Sequence, residues 1–209
     1  MTTPPQDASP LTTEQLQQLA AAGTRAKKIR SAARVAVFNG YVTASFAFLS
    51  APLVPVATVW LGFVPSGLVG LLVTVGLAVI AYGEFRGRRM LLAFEPKAAG
   101  RLGWNQIGFL GLITGYCLWS IVQGWRSNDA AGALLWSMPE LRPLLESPEV
   151  AAASYLAMVL LVYGSVIVLS IIFLGLNAIY YFTRRKHIET YLRDTPPWVT
   201  QVLRATSGL

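Results

Sequence analysis

The sequence predicts an all-α integral membrane protein whose four transmembrane helices form two hairpins. Both termini are expected in the cytoplasm, with amphipathic helices on the membrane surface. Hydrophobic residues make up 54% of the 209-residue chain and charged residues 13%, about half of the roughly 25% usual in soluble domains. Three stretches lack any Asp, Glu, Lys or Arg, namely 35–83, 102–125 and 150–183. About 20 apolar residues suffice to cross a bilayer.

The N-terminal region is polar before the first uncharged stretch. Residues 1–11 are rich in proline and have no apolar segment behind a basic start, so we expect a disordered tail and no cleaved signal peptide. Thr12 followed by Gln15 resembles a capping box. We therefore expect a basic amphipathic helix over 12–33, lying on the cytoplasmic surface and leading into the first span.

The transmembrane domain is expected over residues 34–183. Its first uncharged stretch has room for two spans, and Pro52, Pro55 and Pro65 mark a turn between them. The expected spans are 34–54, 64–84, 103–125 and 153–182. Residues 126–149 then form an outer loop with one or two short helices, and 184–209 form a cytoplasmic juxtamembrane helix and tail. Pro196 and Pro197 are expected to end that last helix.

The basic residues predict the orientation. Fifteen of the seventeen lie before the first span, between the second and third, or after the fourth. The loop 126–149 contains the other two, Arg126 and Arg142. The positive-inside rule places the side rich in basic residues in the cytoplasm, which predicts a multi-pass protein of the cell membrane, plasma or inner.

This orientation also accounts for the net charge of +7, so no nucleic-acid partner is expected. Near-surface cations attract an anionic leaflet by about 1 kcal/mol each. The residues predicted to contact anionic headgroups are Arg86, Arg88, Arg89, Arg184, Arg185 and Lys186.

The chain offers few residues for chemistry. It has one histidine, His187, placed beyond the fourth span, and one cysteine, Cys117. A zinc site needs three or four ligands, and a hydrolase needs a nucleophile within reach of a base. We therefore expect no enzyme, no catalytic residue, no metal and no cofactor.

Four polar residues enter the predicted spans at similar shallow depth on the cytoplasmic side: Asn39, Glu84, Asn105 and Asn177. One interpretation is a cluster of interhelical hydrogen bonds that fixes the packing of the spans. The other is a polar vestibule that binds a headgroup or a small solute.

Small residues mark a packing face on the third span, where Gly108, Gly111 and Gly115 lie on one stripe. Such residues let helix backbones approach closely, either within the bundle or between subunits.

The segments after the second and fourth spans resemble each other. When Phe85 is aligned with Phe182, three basic residues follow in each segment, and Phe94 then matches Tyr191. This similarity indicates either a duplicated pair of helices or the same physical requirement met twice.

Two functions of different class are compatible with these patterns. The first is a structural or assembly role, as an accessory subunit or scaffold bound to other membrane subunits or to itself. The alternative is a small transporter, channel or lipid-binding protein that uses the shallow polar residues.

Overall fold

The computed structural model describes residues 11–51 and 64–206, and the regular elements of these residues are all helical. The helices are α1 (Thr13–Ser50), α2 (Val64–Leu92), α3 (Ala98–Arg126), α4 (Asn128–Ser137), α5 (Pro148–Asp194) and α6 (Pro197–Thr206). A single 3₁₀ turn, Arg142–Leu144, follows α4. Four of the helices, α1, α2, α3 and α5, are long and apolar enough to cross a membrane, which confirms the prediction of transmembrane helices. The N-terminal tail up to residue 10 and the turn near Pro52 and Pro55 lie outside the described residues.

Helix α1 begins at the predicted capping box. The Thr12 hydroxyl accepts a hydrogen bond from the Gln15 backbone at 3.3 Å, and the Thr12 backbone donates to the Gln15 side chain at 2.9 Å. The helix then continues to Ser50, with no break at residues 33–34. In its first part, α1 buries Ala22, Ala26 and Ile29 in the protein core.

Helix α5 is longer than the membrane span it was expected to contain. Its 47 residues correspond to about 70 Å at 1.5 Å per residue, whereas the hydrocarbon core of a bilayer measures about 30 Å. The helix continues past Arg184 to Asp194 instead of ending near residue 182.

Two prolines separate α5 from a helix that the sequence analysis missed. The Pro196 carbonyl accepts hydrogen bonds from the backbones of Val199 and Thr200 at 3.1 and 3.3 Å. Proline suits the first turn of a helix because its missing N–H has no intrahelical partner there. Pro196 and Pro197 therefore begin α6 as well as ending α5.

The main core lies beyond the apolar stretches, where the first part of α1, the turn between α2 and α3, the end of α5 and α6 meet. Within the apolar stretches, α1 packs along α2 and α3 packs along α5. Helix α4 folds back onto α5, with Gly132 against the backbone of Ala152. Only 11% of the most apolar 18-residue segment of α5 is buried, so most of the surface of that segment faces outward.

The turn from α2 to α3 holds Phe94 in the left-handed region, with φ at 55°. This region usually takes glycine after a helix. The Phe94 ring is buried and stacks on Tyr191 with centroids 4.6 Å apart. This contact ties the turn to α5.

Candidate functional site

Glu84 is the centre of the most extensive side-chain hydrogen-bond network among the described residues. It lies on α2 and is 0% exposed. Its Oε1 accepts hydrogen bonds from Asn105 Nδ2 at 2.7 Å and from Gln106 Nε2 at 2.8 Å, both on α3. Its Oε2 accepts one from the Tyr181 hydroxyl of α5 at 3.3 Å. One carboxyl group therefore joins three helices.

The network extends to the fourth long helix through Tyr181. Asn39 Nδ2, on α1, donates to the Tyr181 hydroxyl oxygen at 3.2 Å. Asn105 Nδ2 also donates to the Ile80 carbonyl at 3.0 Å. We call Asn39, Glu84, Asn105, Gln106 and Tyr181 the Glu84 cluster, since these side chains link α1, α2, α3 and α5.

Glycines let the helices come close enough for these bonds. A Cβ atom at Gly83 would overlap the Asn105 amide, so only glycine leaves that amide room beside Glu84. A Cβ at Gly40 would lie 3.0 Å from the Phe85 ring, and one at Gly103 would lie 2.7 Å from the Phe182 ring. The cluster thus depends on small residues in α1, α2 and α3.

The electrostatic setting of the cluster favours a structural role. Among the side chains that the structure describes, no Lys or Arg nitrogen lies within 4 Å of the Glu84 carboxyl oxygens. A buried carboxyl group without a counter-charge is costly unless it is hydrogen-bonded, and the donors from Asn105, Gln106 and Tyr181 supply those bonds. The Gln106 Oε1 is buried without a hydrogen-bond partner in the described structure. The cluster thus holds helices together and exposes no carboxyl group to solvent.

Three of the four predicted polar residues meet in the cluster: Asn39, Glu84 and Asn105. Asn177 lies one turn before Tyr181 on α5, and within the described residues its side chain makes no hydrogen bond to the other three. Gln106 was not predicted as part of this site, although it directly follows Asn105. Tyr181 was not predicted either, because an aromatic residue at a span end is typical of the membrane interface.

The stripe of glycines on α3 faces outward. A Cβ atom at Gly111 or Gly115 would meet nothing within 4 Å, and one at Gly108 would meet Ile80 at 3.7 Å. The sequence left open whether these glycines pack within the bundle or between subunits. Close packing within this chain is not seen at Gly111 and Gly115.

The residues predicted to contact headgroups are mostly exposed. Arg86, Arg88, Arg89, Arg185 and Lys186 are exposed, while Arg184 is half-buried. The Arg184 guanidinium lies 4.4 Å from the centre of the Tyr180 ring, and Arg185 pairs with Glu189 at 2.8 Å. Lipid contact at these positions stays a prediction.

The two similar segments meet each other at the site. Phe94 stacks on Tyr191, its aligned counterpart. Glu84 and Tyr181 also form an aligned pair, one residue before Phe85 and Phe182. The Tyr181 hydroxyl donates a hydrogen bond to Glu84. Matching positions of α2 and α5 are thus in direct contact.

Comparison with known proteins adds no family: no protein-family model, curated protein or solved structure matches this chain. The class is therefore defined by the described structure alone. It is a helical, membrane-embedded protein with four candidate membrane spans, joined by a buried polar cluster.

Proposed function

We propose that this chain is a non-enzymatic, multi-pass protein of the cell membrane, plasma or inner, that works as an accessory subunit or scaffold of a membrane complex. The four spans form two hairpins, α1 with α2 and α3 with α5, and both termini lie in the cytoplasm. The distribution of basic residues supports this orientation. The contacts of α1 with α2 and of α3 with α5 support the hairpins.

The observation that carries the proposed assembly role is an uncovered face of α3. Seven positions at alternating spacings of four and three residues are all exposed: Trp104, Gly108, Gly111, Gly115, Leu118, Val122 and Trp125. This spacing keeps one side of a helix against a partner helix, and glycines at its centre allow close approach in a membrane. We call these seven residues the α3 face.

Helix α5 offers a useful contrast with the α3 face. Gly164 and Gly175 also have open space where a Cβ would lie, but Val168 and Ile171 project between them and are 56% and 52% exposed. These bulky side chains keep another backbone away. The α3 face is thus a better binding surface for a second transmembrane helix than this side of α5.

The closed Glu84 cluster supports assembly over the transport alternative. A polar site for a solute needs groups that the solute reaches, whereas Glu84 is 0% exposed and its bonds go to the protein's own side chains. The polar residues of the spans are thereby used to fix the fold.

Purification in mild detergent with two matched variants tests the proposal. Gly111→Leu fills the α3 face, and Gly164→Leu adds the same side chain at an open position of α5. Because a Cβ atom at either position would meet nothing within 4 Å, both variants are expected to fold. We expect a stoichiometric membrane partner, or a second copy, with the parent protein and with Gly164→Leu, and its loss with Gly111→Leu.

Two outcomes would oppose the assembly role. Gly111→Leu could keep every partner that the parent protein keeps, which would show that the α3 face is not used. A partner-free protein that passes a solute across liposomes would favour the transporter or channel instead.

A further inference from the structure

A cavity of about 230 Å³ lies between α1 and α5, beyond their apolar stretches. The side chains that line it are Thr24, Arg25, Lys28, His187, Thr190 and Tyr191. They offer cationic groups and hydroxyl groups but no carboxylate. Thr24 and Lys28 are one turn apart on α1, and His187 and Tyr191 are one turn apart on α5, so both helices present a continuous polar strip to the cavity.

Neither Arg25 nor Lys28 forms an ion pair with a described acid, although Glu14 and Asp194 line the adjacent cavity that Arg25 also borders. The two ion pairs among the described side chains join Arg185 to Glu189 and Arg193 to Asp194, and none of these four residues lines the cavity. Neither pair includes Lys28. Arg25 is fixed at the cavity wall because its Nη1 donates to the Asp194 carbonyl at 2.6 Å.

The surroundings of His187 show the same excess of positive charge. His187 follows the basic run that ends the apolar part of α5. Partial burial, together with the charges of Lys28 and Arg184, lowers the pKa of His187 below its ordinary value. Like charges held close together repel, so a bound anion would stabilise Arg25 and Lys28 at the cavity.

The cavity extends from the polar layer of a membrane into the water just beyond it. Lys28 precedes Arg34 by six residues, about 9 Å along the helix, and His187 follows Arg184 by three, about 4.5 Å. The headgroup layer adds about 5 to 7 Å on each side of the hydrocarbon core. The cavity therefore lies within reach of both a lipid headgroup and a small solute.

We propose that this cavity binds a phosphate-type oxyanion, the phosphate of a lipid headgroup or a free phosphate group. Lys28 supplies a charged donor, the His187 imidazole supplies an N–H, and Thr190 supplies a hydroxyl group, whereas the Thr24 hydroxyl already donates to the Ala20 carbonyl at 3.1 Å. Charge-assisted hydrogen bonds of this kind are about twice as strong as neutral ones. The site does not depend on the α3 face or on the assembly role.

Two binding measurements on the full-length protein test the site and distinguish the sources. The first titrates inorganic phosphate into the detergent-solubilised protein at constant ionic strength. The second measures retention of phosphatidylglycerol, compared with phosphatidylcholine, by native mass spectrometry. Lys28→Gln removes a charge from the cavity, and Lys27→Gln removes the same charge from an adjacent residue that does not line it.

We expect Lys28→Gln to weaken binding about tenfold, the loss of one charge-assisted hydrogen bond, while Lys27→Gln changes it less than about twofold. If this difference appears in the titration with inorganic phosphate, it would support a free phosphate group as ligand. If it appears only in the lipid-retention measurement, it would support a lipid headgroup. Equal effects of both substitutions, or no binding in either arm, would overturn the proposal. Lys28 is exposed, so Lys28→Gln is expected to fold, and thermal unfolding verifies this.

Discussion

The Glu84 carboxyl group receives three side-chain hydrogen bonds and has no exposed surface. In a membrane-embedded bundle, each such bond contributes roughly 0.6 kcal/mol on average, up to about 2. The arrangement concentrates these contributions on one acceptor. Removing the acceptor therefore affects α2, α3 and α5 together.

Glu84→Leu is expected to lower the free energy of unfolding by about 2 to 4 kcal/mol, because it leaves donors of Asn105, Gln106 and Tyr181 without a partner. Glu84→Gln keeps an amide oxygen for two of these donors, so we expect a loss below about 1 kcal/mol. Unfolding in mixed detergent micelles measures both variants. A Glu84→Leu protein as stable as the parent would show that the cluster does not hold the bundle.

Phe94 gives a second test at a single residue. Its backbone lies in the left-handed region, which costs a non-glycine residue about 1 to 2 kcal/mol. Phe94→Ala and Phe94→Gly both lose the stacking on Tyr191, but only glycine relieves the backbone. We expect Phe94→Gly to be more stable than Phe94→Ala by about 1 kcal/mol in thermal unfolding. The reverse order would contradict the strained turn.

At the scale of the helices, α2 and α5 bury the same pattern of positions. In α2, Ala81, Glu84 and Leu91 are buried, and the positions 97 residues later in α5, namely Ala178, Tyr181 and Ile188, are buried too. The intervals of three and seven residues keep these side chains on one side of each helix. Both helices therefore present the same kind of face to the centre of the protein.

The docking of α4 onto α5 depends on Gly132. A Cβ atom there would lie 2.6 Å from the Ala152 Cα, and backbone atoms do not move aside easily. We expect Gly132→Ala to lower stability by about 1 to 3 kcal/mol, a typical cost of overpacking. It should also make 126–149 more sensitive to protease.

Gly164→Ala is the matched control for Gly132→Ala. It lies in α5 with open space around it, so the higher helix propensity of alanine should leave stability unchanged or raise it by up to about 1 kcal/mol. Equal effects of the two substitutions would show that α4 is not packed on α5.

The sequence predicted the four long helices because uncharged stretches of sufficient length have few alternatives in a membrane. It did not predict their ends, since a helix backbone keeps its hydrogen bonds after it leaves the apolar layer. Thus α1 extends back to Thr13 and α5 extends to Asp194. Composition predicts where a helix leaves the apolar layer, and both of these helices continue beyond that point.

The polar cluster was predictable only in part. Asn39, Glu84 and Asn105 stand out because amide and carboxyl groups are rare in apolar stretches. Tyr181 did not stand out, since its position at a span end already had an interfacial explanation. The contact between Tyr181 and Glu84 joins residues 97 apart, and only the packing of α2 beside α5 brings them together.

For the whole molecule, the proposed topology predicts which residues a membrane-impermeant thiol reagent reaches. The single cysteine, Cys117, is buried, so Cys117→Ala gives a background without thiols. Ser137→Cys in α4 should be labelled in intact cells, and Gln201→Cys in α6 should be labelled only after permeabilisation. Labelling of Gln201→Cys in intact cells would place the C-terminus outside.

The proposed assembly role requires that the α3 face bind another transmembrane helix. The most direct measurement is photo-cross-linking in native membranes, with a photoreactive amino acid at Gly115 in one variant and at Gly164 in another. Both positions have open space in this chain, so each variant is expected to fold. One discrete cross-linked protein product is expected from position 115 and none from position 164. The same product from both positions, or none from position 115, would contradict that role.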